Sequence, residues 1–440
     1  MESLSHIDYR LRRKQFYAEV KNAVAVLPSA EHQVRNPDVT FPFRQESNLY
    51  YLTGFEEPHC VALFAPHSKT PFQFFVQPRN KTKELWEGKI WGPEAAKSRF
   101  GADAAASSAT EIPFDEAFVT AICEAERLYY RVGLDREWDS RIFRLLEVAK
   151  KRLGRTGRSL WPIFDPNEVL GEQRLVKTRA ELERLEKACE ITADAHASAM
   201  RLVKPDMYEY EVEALLFHAF RIQGAERLGY GSIVAGGSNA CCLHYVANNK
   251  RLNEKDLLLI DAGAELDYFT SDITRVFPVG QVFSKEQREI YSAVLTAQKS
   301  CIKMARPGKT MRDLHDHATE VLVDELKKLK ILKGPTPQII KKLEHKRYYP
   351  HGTGHWLGMD VHDVGRYYAQ RLQDPRKLAP GMVFTIEPGL YFGADSDAPA
   401  KYKGIGVRIE DDIVITNQGC RVLTSGVPKE IEEIESLRSA

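Results

Sequence analysis

One pattern in this chain occurs twice: an acidic residue at the end or start of a β-branched run. LLLIDAG (257–263) and SDITRVF (271–277) carry Asp261 and Asp272, while VFTIEPG (383–389) and RIEDDIVI (408–415) carry Glu387 and Glu410. Asp261 and Glu387 are 126 residues apart and Asp272 and Glu410 are 138 apart, so the later copy contains insertions. Strand interiors are poor in Asp and Glu, and a buried carboxylate without a partner is costly. Brought together, such carboxylates repel unless cations lie among them. The repeat therefore constrains the fold, toward an internal duplication, and the chemistry, toward metal ions.

The segments before the strands repeat as well. TRAE, from Thr178, fits a capping box, and Leu182, Leu185, Ala188, Ile191, Ala195, Ala199 and Leu202 follow at helical spacing until Lys204-Pro205. YEVEALLFHAF predicts a second helix. Another capping box at Ser284 and Gln287 opens a helix that runs to Arg306-Pro307-Gly308, and TMRDLHDHATEVLVDEL continues as the next; Pro205 and Pro307 are 102 residues apart. Each helix pair precedes a Gly-rich stretch with histidine, GGSNACCLHY or HGTGHWLGMDVHD. The expectation is an αα-β-β unit present twice, its two sheets forming one curved surface.

The earlier part of the chain alternates short strands, VALFAP (61–66) and FQFFVQP (72–78), with helical stretches such as SRIFRLLEVAKKRLG (140–154), an α/β pattern. Pro162, Asp165, Pro166, Asn167 and Gly171 form a breaker-rich segment. The predicted domains are 1–172 and 173–440, within an α/β fold class.

Lys plus Arg (62) nearly cancel Asp plus Glu (61) for a net charge of +1, so no nucleic-acid partner is expected. The basic clusters 11–14 and 150–152 read as solvated helix faces. The first twenty residues lack an apolar signal core, and no run of about 18 apolar residues could span a bilayer. The seven cysteines include no CxxC, and Cys241 and Cys242 read as small residues packed near a loop. A cytoplasmic protein without membrane association is expected.

Asp261, Asp272, Glu387 and Glu410 bring four negative charges and neutral His355 none, which two divalent ions would neutralise. Oxygen-rich ligation with one imidazole suits Mn²⁺, with Co²⁺, Fe²⁺ or Zn²⁺ as alternatives. Two such ions can share a hydroxide as nucleophile, which is hydrolase chemistry. Arg408, two residues before Glu410, would share its strand face and orient a ligand carboxylate. His351, His355 and His362 cluster among glycines, and His244 holds the corresponding place in the first copy.

IDAG, SDITR, HGTGHWLGMDVHD, TIEPGLY and VRIEDD together resemble the metallopeptidases with the pita-bread fold, within them the X-prolyl aminopeptidase (aminopeptidase P) group. The resemblance runs from FPFRQESNLYYLTGFEEP to GIGVRIEDDIVIT. It implies a duplicated pita-bread catalytic domain behind a smaller α/β domain, and a two-metal enzyme removing an N-terminal residue that precedes proline. Asp261 would bind one metal, Asp272 and Glu410 would bridge both, and His355 and Glu387 would bind the other. Glu387 would also move protons, His244, His351 and His362 would contact substrate, and Arg408 would buttress the site. A homodimer or homotetramer is implied, with Trp86 matching an aromatic that reaches a neighbouring subunit in some relatives. The alternatives are an Xaa-Pro dipeptidase (prolidase), a methionine aminopeptidase, and a non-catalytic binding module of this fold.

Overall fold

The computed structural model describes residues 4–155, 161–369 and 373–439. Two compact units compose it, one from Ile7 to Gln173 and the other from Arg174 onward, which also includes the residues before Ile7. Ser5 shows why the chain start belongs with the later unit: its N–H donates to Glu183 Oε2 and its carbonyl accepts from Arg184 Nη1, both at 2.9 Å.

The earlier unit is built on a six-stranded mixed sheet. Its middle strands, Phe72–Val76, Val61–Phe64 and Ala23–Pro28, pair antiparallel; Ala104–Ser107 flanks them on one side and Arg127–Tyr129 and Ile163–Phe164 on the other, all in parallel pairs. Runs such as AVAVLP and VALF are buried almost throughout, as strands covered on both faces must be. The helix Arg136–Leu153 begins four residues earlier than expected. Asp135 accepts from Glu137 N and Trp138 N at 2.8 and 3.0 Å, and this cap sets the start. The solvated-face reading of the 11–14 cluster is overturned for Arg12 and Arg13, which are both buried. Arg12 donates to the Tyr51 carbonyl and lies 4.0 Å from that ring's centroid, while Arg13 donates to the Leu52 carbonyl.

The later unit shows the doubled plan. Helix Arg179–Leu202 carries the Thr178/Glu181 capping box and helix Lys285–Met304 the Ser284/Gln287 one. Both give way to extended residues, Val203 at ψ 134° and Ala305 at ψ 114°, ahead of Lys204-Pro205 and Arg306-Pro307. Helices Glu209–Ile222 and Met311–Lys328 follow. The strands Leu257–Ala262 and Ile273–Pro278 pair antiparallel with Asp261 opposite Thr274; Val383–Ile386 and Asp411–Ile415 do the same, with Ile386 opposite Asp411.

The expected pair of sheets is divided further, with 264–266 and 389–392 belonging to separate small sheets. One reason is a tight bend at Gly263, where a Cβ would stand 1.8 Å from the Ser271 carbonyl oxygen. The copies are sewn together by backbone: Glu410 N donates to Thr274 O at 3.1 Å, and Asp272 N donates to Asp412 Oδ2 at 2.9 Å. Among the described residues, no helix is long and apolar enough to cross a membrane.

Candidate active site

All nine residues singled out in the sequence line one cavity of about 490 Å³: His244, Asp261, Asp272, His351, His355, His362, Glu387, Arg408 and Glu410. Asp261 is the penultimate residue of its strand, Asp272 and Glu410 each precede one, and Glu387 follows one, so rigid strand ends aim all four carboxylates inward. The Glu387 N–H is fixed on the Thr353 carbonyl at 2.8 Å. His355 arrives on a close crossing that needs glycine, since a Cβ on Gly354 would lie 1.9 Å from the Thr385 carbonyl oxygen. The imidazole Nδ1–H donates to the Trp356 carbonyl at 3.1 Å, and this leaves Nε2 facing Asp272 at 3.4 Å and Glu387 at 3.7 Å.

Asp272, His355 and Glu410 form the tightest group, each offering a ligand atom within 4.8 Å of the others. Asp261 and Glu387 stand beside it. The Tyr230 hydroxyl lies 2.5 Å from Asp261 Oδ1 and 2.5 Å from Asp272 Oδ1. A phenol has one proton to donate, so the second contact calls for further positive charge, supplied by a proton on a carboxyl or by a cation.

The electrostatics make the same demand. Burial, then repulsion from Asp272 and Glu387, raises the Glu410 carboxyl well above the ordinary range. Burial also raises Asp261, against the pull of Arg408, and raises Glu387 to about 7 despite His355 and Arg408. Burial alone would lower His355, but the bonded Asp272 carboxylate outweighs it and holds the imidazole at about 9. Asp261, Glu387 and Glu410 are thus each held toward the protonated form where cations would relieve the repulsion, and the donor set around His355 fits divalent ions.

Arg408 faces the same cavity as Glu410 but does not touch it directly. The strand Ile405–Arg408 stops at Arg408, and the guanidinium pairs with Asp261 through Nη2. Its Nε donates to Thr274 Oγ1 at 3.0 Å, and that hydroxyl donates to Glu410 Oε2 at 2.6 Å, so Glu410 is reached through Thr274. Arg408 Nη1 donates to Tyr391 Oη at 3.0 Å, which in turn donates to His351 Nε2 at 2.9 Å. Burial lowers His351 to about 4, and its Nδ1–H donates to the Gly352 carbonyl at 2.7 Å. His244 and His362 are exposed on the cavity wall, and the His362 ring meets His355 edge to face with centroids 4.4 Å apart. Ile233, Leu243, Val246 and Val361 supply the apolar wall.

Sequence reading missed Tyr230, Thr274 and Tyr391. Tyr230 had a local sign, an aromatic between two glycines, and Thr274 sits inside SDITR. Nothing near Tyr391 in sequence points to His351 or Arg408.

Residues 183–417 match the profile of metallopeptidase family M24, and residues 9–129 that of the aminopeptidase P N-terminal domain. An Xaa-Pro aminopeptidase of Haemophilus influenzae is 39% identical over 442 residues, which span 99% of this chain and 98% of that protein. One from Escherichia coli is 38% identical, spanning 100% of this chain and 99% of its own. The structure of Pseudomonas aeruginosa aminopeptidase PepP superposes with a TM-score of 0.92 at 40% identity, covering 98% of this chain and 97% of that one. Zn-substituted E. coli aminopeptidase P in complex with product superposes at 0.91 with 37% identity, covering 99% of each chain.

Proposed function

The chain belongs to metallopeptidase family M24, and from that premise we propose how its own residues perform the cleavage. The protein is a metal-dependent Xaa-Pro aminopeptidase whose substrates are peptides with proline in second position. The dipeptidase and non-catalytic alternatives are not favoured, since the full-length relatives are Xaa-Pro aminopeptidases.

Asp261, Asp272, His355, Glu387 and Glu410 are the residues that would hold two divalent ions. The observation that carries this reading is the group of mutually repelling carboxylates around His355 in the cavity of about 490 Å³. Mn²⁺ is the ion that suits these donors best, with Co²⁺, Fe²⁺ and Zn²⁺ as alternatives. When bound, the ions supply an activated water and polarise the scissile carbonyl.

The protein's groups do the rest. Glu387 takes the proton from the attacking water and delivers it to the proline nitrogen as the bond breaks. His362 and His244 reach the substrate from the cavity wall, whereas His351 does so only by releasing Tyr391 or Gly352. Arg408 holds Asp261 directly, and Glu410 through Thr274. The scissile Xaa-Pro amide has no N–H, so recognition runs through the pyrrolidine ring and the apolar wall rather than through a strand-like backbone bond.

Assembly as a homodimer or homotetramer in the cytoplasm completes the reading. Leu85 and Trp86, 81% and 84% exposed, support the first part, and seven cysteines free of disulfides suit a reducing compartment. Sedimentation velocity of Trp86→Ala against wild type checks the assembly. Elemental analysis together with a peptide series checks the chemistry. Two Mn, Co, Fe or Zn per chain and cleavage of Xaa-Pro-Xaa tripeptides are expected; Gly-Pro cleavage without tripeptide cleavage would overturn it.

A further inference from the structure

The stretch 237–250, which follows the strand Ile233–Gly236, brings Leu243, His244 and Val246 to the cavity, yet beyond a short 3₁₀ turn, Gly237–Cys241, it has no regular structure of its own. Asn248 anchors it to the strand before it, accepting from Val234 N at 3.0 Å and donating to the Ser232 carbonyl at 2.9 Å, and four further hydrogen bonds converge on one side chain, Glu209, at the start of the helix Glu209–Ile222. Glu209 is fully buried, at 0% exposure. Its Oε1 accepts from Gly236 N at 2.7 Å and Asn239 Nδ2 at 3.0 Å, and its Oε2 accepts from Lys250 N at 2.8 Å and the Tyr245 hydroxyl at 2.7 Å. The Glu209 N–H closes the ring on the Lys250 carbonyl at 3.0 Å. The nearby ammonium of Lys250 is directed elsewhere, to the Gly236 carbonyl and Asp256 Oδ2.

Four donors spread from residue 236 to residue 250 therefore satisfy one buried carboxylate, and that carboxylate ties both ends and the middle of the loop to a rigid helix. His244, exposed near the loop's centre, takes its place in the cavity from this tether. We propose that Glu209 is a positioning residue for substrate recognition, setting where His244 and its apolar neighbours stand while touching neither substrate nor metal. The proposal rests on the reading of the cavity as the peptide site and deepens it.

The test uses metal-loaded, full-length protein carrying Glu209→Gln, His244→Ala, the two together, and Tyr245→Phe, which removes only one of the four donors. Glu209→Gln keeps the shape but turns an amide NH₂ toward donors. It is expected to retain wild-type metal content and to lose about 10- to 100-fold in kcat/KM on an Xaa-Pro-Xaa peptide, as misplaced groups do. On top of His244→Ala it should cost no more than about twofold, because both changes remove one function. Tyr245→Phe should show a smaller loss of the same kind and keeps the test alive if Glu209→Gln fails to fold.

Hydrogen exchange gives a readout independent of turnover: the Gly236 and Lys250 amides should exchange faster in Glu209→Gln while the strand Leu257–Ala262 stays protected. An equal loss with and without His244, or unchanged exchange at Gly236 and Lys250, overturns the proposal. Wild-type protein that binds metal but cleaves no Xaa-Pro peptide overturns the assigned function instead, and the exchange measurement still decides the tether.

Discussion

In the first half of the catalytic unit a single histidine, His244, reaches the cavity on a loop whose central tether, Glu209, is a carboxylate satisfied by uncharged donors. In the second half residues 349–363 bring three histidines, and cations, hydroxyls and carbonyls hold them. Thr353 lies between the Tyr349 hydroxyl at 2.5 Å and His315 Nδ1 at 2.9 Å, and the His355 N–H donates to Thr385 Oγ1. The buried Asp363 ends the stretch, with its carboxylate 2.6 Å from Arg174 Nη2 and 3.1 Å from Lys177 Nζ. Gly358 leaves room for it, since a Cβ there would lie 2.1 Å from Asp363 Oδ2. Duplication supplied matched carboxylates to both halves, but the histidine loops diverged. One became a frame fixed around His355 by ion pairs and hydroxyls, and the other a wall of the same cavity tethered to Glu209.

Substitutions can break or sharpen that contrast. The largest effect is expected from Asp272→Asn, at a carboxylate proposed to hold metal beside His355: metal content by elemental analysis should fall below one ion per chain, and turnover should vanish with it. Metal content holding at two per chain would refute that role. Glu387→Gln should keep the fold and lower kcat about 10³-fold, within the range for a lost general base; stopped-flow or steady-state kcat above a tenth of wild type would remove Glu387 from that role.

Asp363→Asn leaves Lys177 buried without its ion-pair partner and Arg174 with Asp360 as its paired carboxylate, and urea unfolding should show about 3 kcal/mol of lost stability. The Glu209 variant lacks any such stranded cation, so a comparable stability loss there would erase the contrast between the loops. The smallest effect belongs to Tyr391→Phe, which takes the acceptor from Arg408 and the donor from His351. It should cost about 1–2 kcal/mol in kcat/KM with metal content unchanged.

Much of the frame was legible because its signals are local. The capping boxes at Thr178 and Ser284, the breaks before Pro205 and Pro307, and the acids bounding β-branched runs are each written within a few residues. The same locality misled at Arg12 and Arg13, where a basic run looked solvated until the Tyr51 and Leu52 carbonyls and an aromatic face came within reach. At Arg408 the local reading placed a cation beside a candidate ligand carboxylate, and the structure identifies that carboxylate as Asp261.

The triplet Glu410, Asp411 and Asp412 shows where sequence stops. Taken alone, RIEDD says that acids sit on a strand beside a basic residue, and the doubled pattern marks Glu410 as the counterpart of Asp272. Only the tertiary structure distributes the three. Glu410 faces the cavity, and Asp411 is buried on Arg275 at 2.7 Å, which with Lys429 outweighs burial and holds its carboxyl down at about 2. Asp412 caps the Asp272 N–H, and burial raises its carboxyl well above the usual range. Their partners lie far away in the chain, at 272, 274, 275 and 429. Periodicity and capping are set by neighbours in sequence, whereas the charge state and task of a buried acid are set by whatever packing brings against it.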